Sequence, residues 1–177
     1  MRQVILYIAV SLDGYIAPSD GDVSWLDPYN PEDYGFTEFY RRIGVVIMGA
    51  ATYEQNLTFG EWPYGATKTY VIAGRELEVA PGGNIRFYSG DLARLVSQLT
   101  AADDRDIWLL GGGKLITSFL NAGLIDKFML FMIPILLAEG IPLFSGIAGE
   151  TAVRAETCER YPDGVVRLDY SIKRPGN

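Results

Sequence analysis

The stretch DIWLLGGGKLITSFLNAG, residues 106–123, decides the fold because it passes from an apolar run through three glycines into a helical pattern. The apolar run at 106–110 predicts a buried strand, and the pattern from Lys114 predicts a helix that Gly123 ends. A strand that turns through glycines into a helix directs free backbone N–H groups at one point, where a phosphate is stabilised. The alternative is that the glycines only make a tight turn.

The spacing of these glycines excludes two common phosphate-binding motifs. A P-loop needs a glycine where Trp108 stands and a serine or threonine where Leu115 stands. The dinucleotide fingerprint G-x-G-x-x-G needs a third glycine where Ile116 stands. Taken alone, the stretch therefore leaves phosphate binding and a simple turn both open.

Apolar β-rich runs alternate with helical patterns along the rest of the chain, which favours an α/β fold with helices on both faces of a sheet. The predicted strands are 3–11, 45–49, 68–73, 85–89 and 106–110, and the predicted helices are 31–43, one that opens at 50, 90–100 and 114–123. From residue 125 onward the pattern predicts strands joined by turns, with YPDG as a hairpin turn. We expect one domain, 1–177, whose mostly parallel sheet ends in antiparallel strands.

The composition narrows the classes of function. The formal net charge of −7, without a run of Lys and Arg, argues against nucleic acid as a partner. No apolar run reaches the roughly 20 residues that span a bilayer, and we expect neither a membrane partner nor a signal peptide. Cys158 is the only cysteine, which excludes an intramolecular disulfide and favours a cytoplasmic setting.

Histidine is absent from the sequence. This removes the usual general base and the commonest metal ligand, so proton chemistry must come from carboxylates, tyrosines, lysines or water. The loop with Asp20, Asp22 and Asp27 has the spacing of a calcium loop, but Trp25 and Pro31 stand where that loop needs glycine and glutamate. We therefore expect no metal site.

Two further predicted strands end in groups that favour anions. In MGAATYE (48–54), Gly49 precedes a helix start that carries Thr52, and in YVIAGRE (70–76), Arg75 follows a strand. Each alone is typical of a helix cap or of a solvated charge. Since α/β sheets bind ligands at the carboxyl edge of their strands, the three strand ends together predict an anion site there.

Five segments in order resemble the dihydrofolate reductase-like superfamily: AVSLDGYIA (9–17), VIMGAATYE (46–54), YVIAGRE (70–76), IWLLGGGKLITSFLNAGLIDKFML (107–130) and IPLF (141–144). The similarity covers residues 3–172 and is closer to the branch with the reductase domain of bacterial riboflavin biosynthesis, especially its stand-alone small members. It implies a three-layer fold with a central mixed sheet. It also implies an NAD(P)H-dependent reductase of a small ring-containing substrate, related to 5-amino-6-(5-phosphoribosylamino)uracil reductase.

The resemblance also implies positions for NADPH, with NADH as the alternative. Gly49 and Thr52 would lie near the cofactor phosphates, and Gly74 and Arg75 near the adenosine-ribose phosphate. The pyrophosphate would be cradled by Gly111, Gly112, Gly113, Lys114, Leu115 and Ile116. Members of the family often hold the glycine pair in a cis peptide bond, and they commonly form homodimers.

Ala9 and Ile16 would flank the nicotinamide, and the loop from Asp13 onward would cover it. Trp25 and Trp62 are candidate walls for a flat substrate ring or, equally, anchors of their loops. For the catalytic proton the candidates are Asp33, Asp13 or ordered water, and water relayed by a carboxylate is the favoured source.

The sequence departs from the family pattern at three places. Ala50 stands where the family usually has an arginine, which removes one phosphate partner. Asp33 falls at the carboxylate position of dihydrofolate reductases, but Phe131 replaces the threonine that pairs with it. YEQNLTFGEWPYG (53–65) lacks the acidic element of the riboflavin-pathway enzymes. Pterin reduction, pyrimidine reduction, another carbonyl or imine reduction, a non-catalytic nucleotide-binding module and a dimerising structural subunit remain open.

Overall fold

A computed structural model of the protein describes residues 2–102 and 104–173. The ends of the expected domain, residues 1 and 177, lie outside these described residues, so its limits stay a prediction.

The strands are β1 (Val4–Ser11), β2 (Tyr15–Ala17), β3 (Ile43–Gly49), β4 (Lys68–Ile72), β5 (Asn84–Tyr88), β6 (Asp106–Gly111), β7 (Lys127–Ile133), β8 (Ile141–Pro142), β9 (Val153–Arg160) and β10 (Val166–Ile172). The helices are α1 (Phe36–Arg41), α2 (Ala50–Leu57), α3 (Leu92–Ala102) and α4 (Gly113–Asn121), and a 3₁₀ helix covers Ser24–Tyr29. Within the described residues, no helix has the length and apolar character that a membrane crossing requires.

An eight-stranded sheet in the order β5-β4-β3-β6-β1-β7-β10-β9 forms the centre of the fold. The strands from β5 to β7 run parallel, whereas β10 pairs antiparallel with both β7 and β9. β2 and β8 form a separate two-stranded sheet. The predicted α/β class, with a mostly parallel sheet and antiparallel C-terminal strands, is confirmed.

Helices cover both faces of this sheet, as predicted. α3 and α4 pack on one face, where the first apolar core receives Leu6 and Val10 of β1. α1 and α2 pack on the other face, where Phe39 and Tyr53 join Ile5 of β1 in the second apolar core. Side chains of a strand alternate between its two faces, so β1 contributes to both cores.

The helix predicted at 31–43 is shorter than its apolar spacing indicates. α1 begins only at Phe36, and the preceding residues Ser24–Tyr29 form the 3₁₀ helix, which contains Pro28. Gly35 has a φ of +79°, a left-handed conformation that a right-handed helix does not contain. The glycine conformation therefore fixes the start of α1.

The stretch 106–123 has the predicted form. β6 ends at Gly111, α4 begins at Gly113, and Gly123 follows α4 with a φ of +65°. The Leu124 N–H donates to the Phe119 carbonyl at 2.9 Å, which is a usual way to satisfy the last carbonyls of a helix. The local pattern thus predicts both ends of α4 to within a residue or two.

Candidate functional site

The carboxyl ends of neighbouring parallel strands meet along one edge of the sheet. β4, β3, β6 and β1 are adjacent and parallel, so the residues at their ends share that edge. These residues are Gly74 and Arg75 after β4, Gly49 and Thr52 at β3 and α2, Gly111–Gly113 at β6 and α4, and Asp13 after β1. The fold therefore brings together the anion-favouring strand ends that the sequence predicts.

The glycines between β6 and α4 approach α2 closely. Gly111 and Gly112 have φ values of +140° and +88°, which residues with side chains rarely adopt. A Cβ atom on Gly112 would lie 3.3 Å from the Thr52 hydroxyl oxygen. The peptide bonds of the described residues are trans, those of this glycine pair included. Bare backbone therefore faces the Thr52 hydroxyl.

Gly113 and Gly49 enclose this backbone from two sides. A Cβ atom on Gly113 would lie 3.1 Å from the Pro142 carbonyl oxygen of β8 and 3.9 Å from Cδ1 of Ile16 on β2. A Cβ atom on Gly49 would lie 3.8 Å from the Gly111 carbonyl oxygen. Ile16 therefore lies beside the glycines, although nearly a hundred residues separate them along the chain.

At the first turn of α4, backbone N–H groups rather than side chains are available to bind a ligand. The amides of Leu115 and Ile116 donate to the Gly112 carbonyl at 2.9 and 3.0 Å, and their side chains are buried in the first core. The first amides of a helix have no acceptor inside it, so those of Gly113 and Lys114 are the available donors. The exposed Lys114 side chain and the helix dipole add positive charge.

Arg75 is paired with an acidic residue of α2. Its Nη2 lies 2.7 Å from Glu54 Oε1, and both side chains are about half exposed. Such an exposed pair contributes less than about 1 kcal/mol, so a phosphate could replace Glu54 as the partner of Arg75. The Glu54 carboxylate would repel that phosphate, and Ala50 adds no positive charge nearby.

Asp13 fastens the loop after β1 to the segment after β7. The Ser11 hydroxyl donates to Asp13 Oδ1 at 2.6 Å, and the N–H groups of Leu137 and Ala138 donate to the same carboxylate at 3.1 and 2.8 Å. The hydrogen bond from Ser11, followed by those from the two amides, holds the pKa of Asp13 below its usual value. Asp13 is therefore ionised at neutral pH, which disfavours it as a proton donor.

An aromatic cluster lies beside Ala9 on the face of the second core. Ala9 pairs in register with Phe131 of β7, and Tyr7 lies two residues earlier on the same face. The Tyr7 ring stacks on Phe39 at a centroid distance of 4.3 Å and lies 4.6 Å from the Phe131 ring. Phe131 thus places an aromatic ring beside Ala9 and Tyr7.

Asp33 lies at the start of α1. Its carboxylate accepts hydrogen bonds from the Thr37 N–H at 3.1 Å and from the Thr37 hydroxyl at 2.9 Å, and the side chain is exposed. Burial raises the pKa of the Tyr7 phenol, and the charge of Asp33 raises it further. Asp33 therefore stabilises the helix start and lies within electrostatic range of the aromatic cluster.

β10 contributes a charged group that the sequence analysis missed. Asp169, only 1% exposed, accepts hydrogen bonds from Nε and Nη2 of Arg167 at 2.8 and 2.9 Å and pairs with Lys127 Nζ at 3.0 Å. Burial alone would raise the pKa of Asp169, but the bonds from Arg167 and Lys127 hold it below its usual value. The sequence VVRLDYSI does contain a signal for this group. Its arginine and aspartate stand two residues apart, which places both side chains on one face of a strand.

Trp25 and Trp62 pack against the second core and anchor their loops. The Trp62 ring lies 5.5 Å from the ring of Tyr53 and 5.1 Å from that of Tyr64. The indole nitrogens of both tryptophans are buried and make no hydrogen bond to another described residue. The described part of the chain therefore leaves both N–H groups unused as donors, and the position of the rings identifies them as loop anchors.

Comparison with known proteins gives a match over nearly the whole chain. Residues 2–167 match the RibD C-terminal domain. The uncharacterized protein YwjB of Bacillus subtilis is 34% identical over 171 residues, which cover 96% of this chain and 97% of YwjB. The riboflavin biosynthesis protein RibD of Corynebacterium ammoniagenes is 28% identical over 185 residues, which cover 93% of this chain and 52% of that protein. The chain thus corresponds to about half of RibD.

A solved structure from Shewanella sp. PV-4 supports the same relationship. That protein, provisionally assigned to riboflavin biosynthesis, is 30% identical to this chain and superimposes with a TM-score of 0.86. The superposition covers 97% of this chain and 99% of the other. The two chains therefore share the fold from end to end.

Proposed function

The chain belongs to the RibD C-terminal domain family, and on this premise we propose that it is a reductase that uses NADPH, or alternatively NADH, to reduce a small ring-containing substrate. The observation that carries the proposal is the bare glycine backbone at the start of α4, which faces the Thr52 hydroxyl. These groups fit a pyrophosphate because they offer hydrogen-bond donors without side chains in the way. When bound, the dinucleotide would supply the hydride.

Different residues of the sheet edge would bind different parts of the cofactor. Gly49, Thr52, Gly111–Gly113 and Lys114 would hold the pyrophosphate, with Leu115 and Ile116 fixing the turn. Gly74 and Arg75 would hold the adenosine-ribose phosphate. Ala9 and Ile16 would flank the nicotinamide, and Asp13 would keep the covering loop in place through Ser11, Leu137 and Ala138.

For the proton, we favour water relayed by Asp33. Its carboxylate is exposed, and among the described residues it accepts hydrogen bonds from Thr37 alone. Asp13, in contrast, accepts three hydrogen bonds and is held ionised. The Asp33→Asn variant should lower turnover while cofactor affinity is kept, whereas Asp13→Asn should weaken substrate and cofactor binding together. Unchanged turnover in Asp33→Asn would remove Asp33 from the mechanism.

Cofactor titration tests the first step. NADPH and NADH are titrated into the protein while tryptophan fluorescence and the unfolding temperature are followed, and saturable changes below millimolar concentration are expected. No change with either dinucleotide at millimolar concentration would refute the reductase proposal. If bound NADPH is not oxidised with any of a panel of carbonyl and imine compounds, the protein is a non-catalytic nucleotide-binding module. Dihydrofolate should be turned over poorly, because Phe131 cannot donate the hydrogen bond of a threonine.

We also propose that the protein is a homodimer that pairs through the C-terminal edge of the sheet. β9 is the edge strand and every one of its residues is exposed. Beside it, a groove of about 450 Å³ is lined by apolar side chains that include Phe144, Ile147 and Val153. Long exposed edge strands and apolar patches of this kind are typical of interfaces.

Sedimentation equilibrium tests the dimer. Phe144→Asp should produce a monomer, whereas Leu136→Asp, which changes an exposed leucine outside the groove, should leave the dimer intact. A wild-type monomer at micromolar concentration would refute the pairing.

We place the protein in the cytoplasm. Cys158 is a free, exposed thiol on β9, and such thiols persist in reducing compartments. Fractionation of cells that produce the full chain tests this, and recovery outside the cytoplasmic fraction would contradict it.

A further inference from the structure

The proposed cofactor site makes no use of the charged group formed by Arg167, Asp169 and Lys127. The carboxylate of Asp169 binds the guanidinium through Nε and Nη2, so Nη1 remains for another acceptor. This nitrogen lies 3.6 Å from the position that a Cβ atom on Gly35 would take. The Arg167 side chain is 20% exposed, so the guanidinium is reachable from outside.

Aromatic rings surround this guanidinium. Arg167 pairs in register with Phe131, whose ring lies 6.1 Å from that of Tyr34. The Tyr34 ring in turn meets the Tyr161 ring edge-on at 4.8 Å, and the Tyr161 hydroxyl interacts with Arg167. Aromatic rings therefore lie next to a guanidinium that Asp169 holds in place.

The hydroxyl of Tyr7 is a second free donor on the same face. Its ring is held between Phe39 and Phe131, yet its hydroxyl makes no hydrogen bond to any residue among 2–102 and 104–173. The positive charge of Arg167 acts on this phenol strongly enough to oppose the effect of burial on its pKa. Tyr7 and Asp169 both pair in register with Met129, and the Tyr7 ring lies beside that of Phe131, the register partner of Arg167. The two donors therefore lie on the same face of the sheet with one strand between them.

We propose that Arg167 and the Tyr7 hydroxyl anchor a carbonyl oxygen on the edge of a planar substrate ring. A guanidinium offers donors only and a phenol readily donates, so the matching group is an acceptor. The ring walls select a flat molecule. This inference rests on the proposed function, because Ala9, expected at the nicotinamide, lies two residues from Tyr7 on the same face.

The charges around the anchor favour a neutral carbonyl over a phosphate or carboxylate. Asp169 offsets one of the two positive charges of Arg167 and Lys127, and three more carboxylates lie close by and outweigh the other. Glu159 accepts a hydrogen bond from Tyr161 at 3.3 Å, Asp163 accepts one from Tyr34, and Asp33 acts on Tyr7. An anionic ligand would be repelled by these groups. Asp169 is a positioning residue, since it fixes the plane of the guanidinium before the substrate arrives.

Binding of two small rings tests the anchor. The probes are 2-pyridone, which carries one ring carbonyl, and pyridine, which has none, measured by ligand-observed NMR titration at pH 8 with the full-length protein, both without dinucleotide and with an excess of NADP⁺. We expect 2-pyridone to bind at least about tenfold more tightly, the effect of one hydrogen bond to a charged group. Equal binding of the two rings, no binding of either up to its solubility, or tighter binding of benzoate than of 2-pyridone would each overturn the proposal.

Variants of Tyr7 and Arg167 test whether these two residues cause the preference for 2-pyridone over pyridine. Tyr7→Phe removes only the free hydroxyl, and Arg167→Met removes the guanidinium while Lys127 still neutralises Asp169. Both should lose the preference for 2-pyridone and keep the affinity for pyridine. Tyr70→Phe removes a hydroxyl on the face of the first core and should keep the preference. If Arg167 only stabilised the fold, its loss would lower the unfolding temperature and weaken both rings alike. If Arg167→Met does not fold, Tyr7→Phe decides.

Titration of NADPH into the same variants separates this inference from the proposed function. Both variants should bind NADPH as the wild-type protein does, because neither residue lies at the glycine backbone. A wild-type protein that prefers 2-pyridone but binds no dinucleotide would refute the reductase proposal and leave the anchor standing. Normal NADPH binding without any carbonyl preference would refute the anchor alone.

Discussion

The two ends of the candidate site are built in opposite ways. The proposed cofactor end consists of backbone from consecutive residues, Gly111–Gly113, together with Gly49 and Thr52 of the neighbouring strand and helix. The proposed substrate end consists of side chains from β1, β7 and β10, brought together only by sheet pairing. A site made of glycine backbone has no room for an added side chain. A site made of side chains depends on the ion pairs and ring contacts that hold those side chains in position.

The largest expected effect concerns the support of the substrate end. Asp169→Asn leaves Arg167 and Lys127 without their buried counter-charge and should lower the free energy of unfolding by about 3 kcal/mol, at the low end for buried pairs because both cations are partly exposed. Urea denaturation measures the change. The control Glu38→Gln breaks an exposed pair with Arg41 and should cost less than about 1 kcal/mol. Equal losses of unfolding free energy in the two variants would show that the buried ion pair stabilises the fold no more than the exposed pair does.

The same pair predicts a dependence on pH. The folded-state pKa of Asp169 is lowered, so its stabilisation is present above the unfolded value of about 3.9 and is lost as the pH falls through the folded value. The pKa values of Arg167, Tyr7 and Tyr161 are raised above their usual values, so these groups stay protonated throughout this range. The stability difference between wild type and Asp169→Asn, measured in urea at pH 7, 5 and 3, should therefore hold from 7 to 5 and shrink at 3. A constant difference would contradict this.

The next effect concerns the cofactor end. Gly112→Ala places a Cβ atom 3.3 Å from the Thr52 hydroxyl oxygen at a φ of +88°, and it should weaken NADPH binding at least about tenfold, equivalent to about 1.4 kcal/mol. The matched control is Gly82→Ala, which has a φ of +75° and open space around the new atom. It carries similar backbone strain and should keep the wild-type affinity in a fluorescence titration. Similar losses in both variants would show that strain alone is responsible.

The smallest effect concerns the choice between the two dinucleotides. Glu54→Gln releases Arg75 from its ion pair and removes a negative charge, so the ratio of NADPH to NADH affinity should rise by about two- to fivefold, as expected for an exposed charge. Glu76→Gln removes a charge next to Arg75 without breaking a pair among the described residues. It should change the ratio less. If both variants behave alike, Glu54 does not compete for Arg75.

The contrast between the two ends also explains what the sequence could predict. The strand, glycines and helix of 106–123 are local, so their residue types determine the turn, and the sheet edge follows from the parallel order. The grouping of Arg167 with Phe131 and Ala9 depends on the register of β10, β7 and β1, which no local pattern reveals. The start of α1 differs from the predicted residue 31 for a related reason. The apolar spacing does not show that Gly35 adopts a positive φ, so the helix begins at Phe36.

The position of β1 in the sheet has a consequence for the order of folding. β1 is synthesised first, but its neighbours on both sides, β6 and β7, begin only at Asp106 and Lys127. Strand pairs between residues so far apart in the sequence form slowly. Until they form, an unpaired apolar strand is prone to aggregate. The nascent chain must therefore keep VILYIAVS protected until β7 has left the ribosome, so the centre of the sheet forms later than β1 is made.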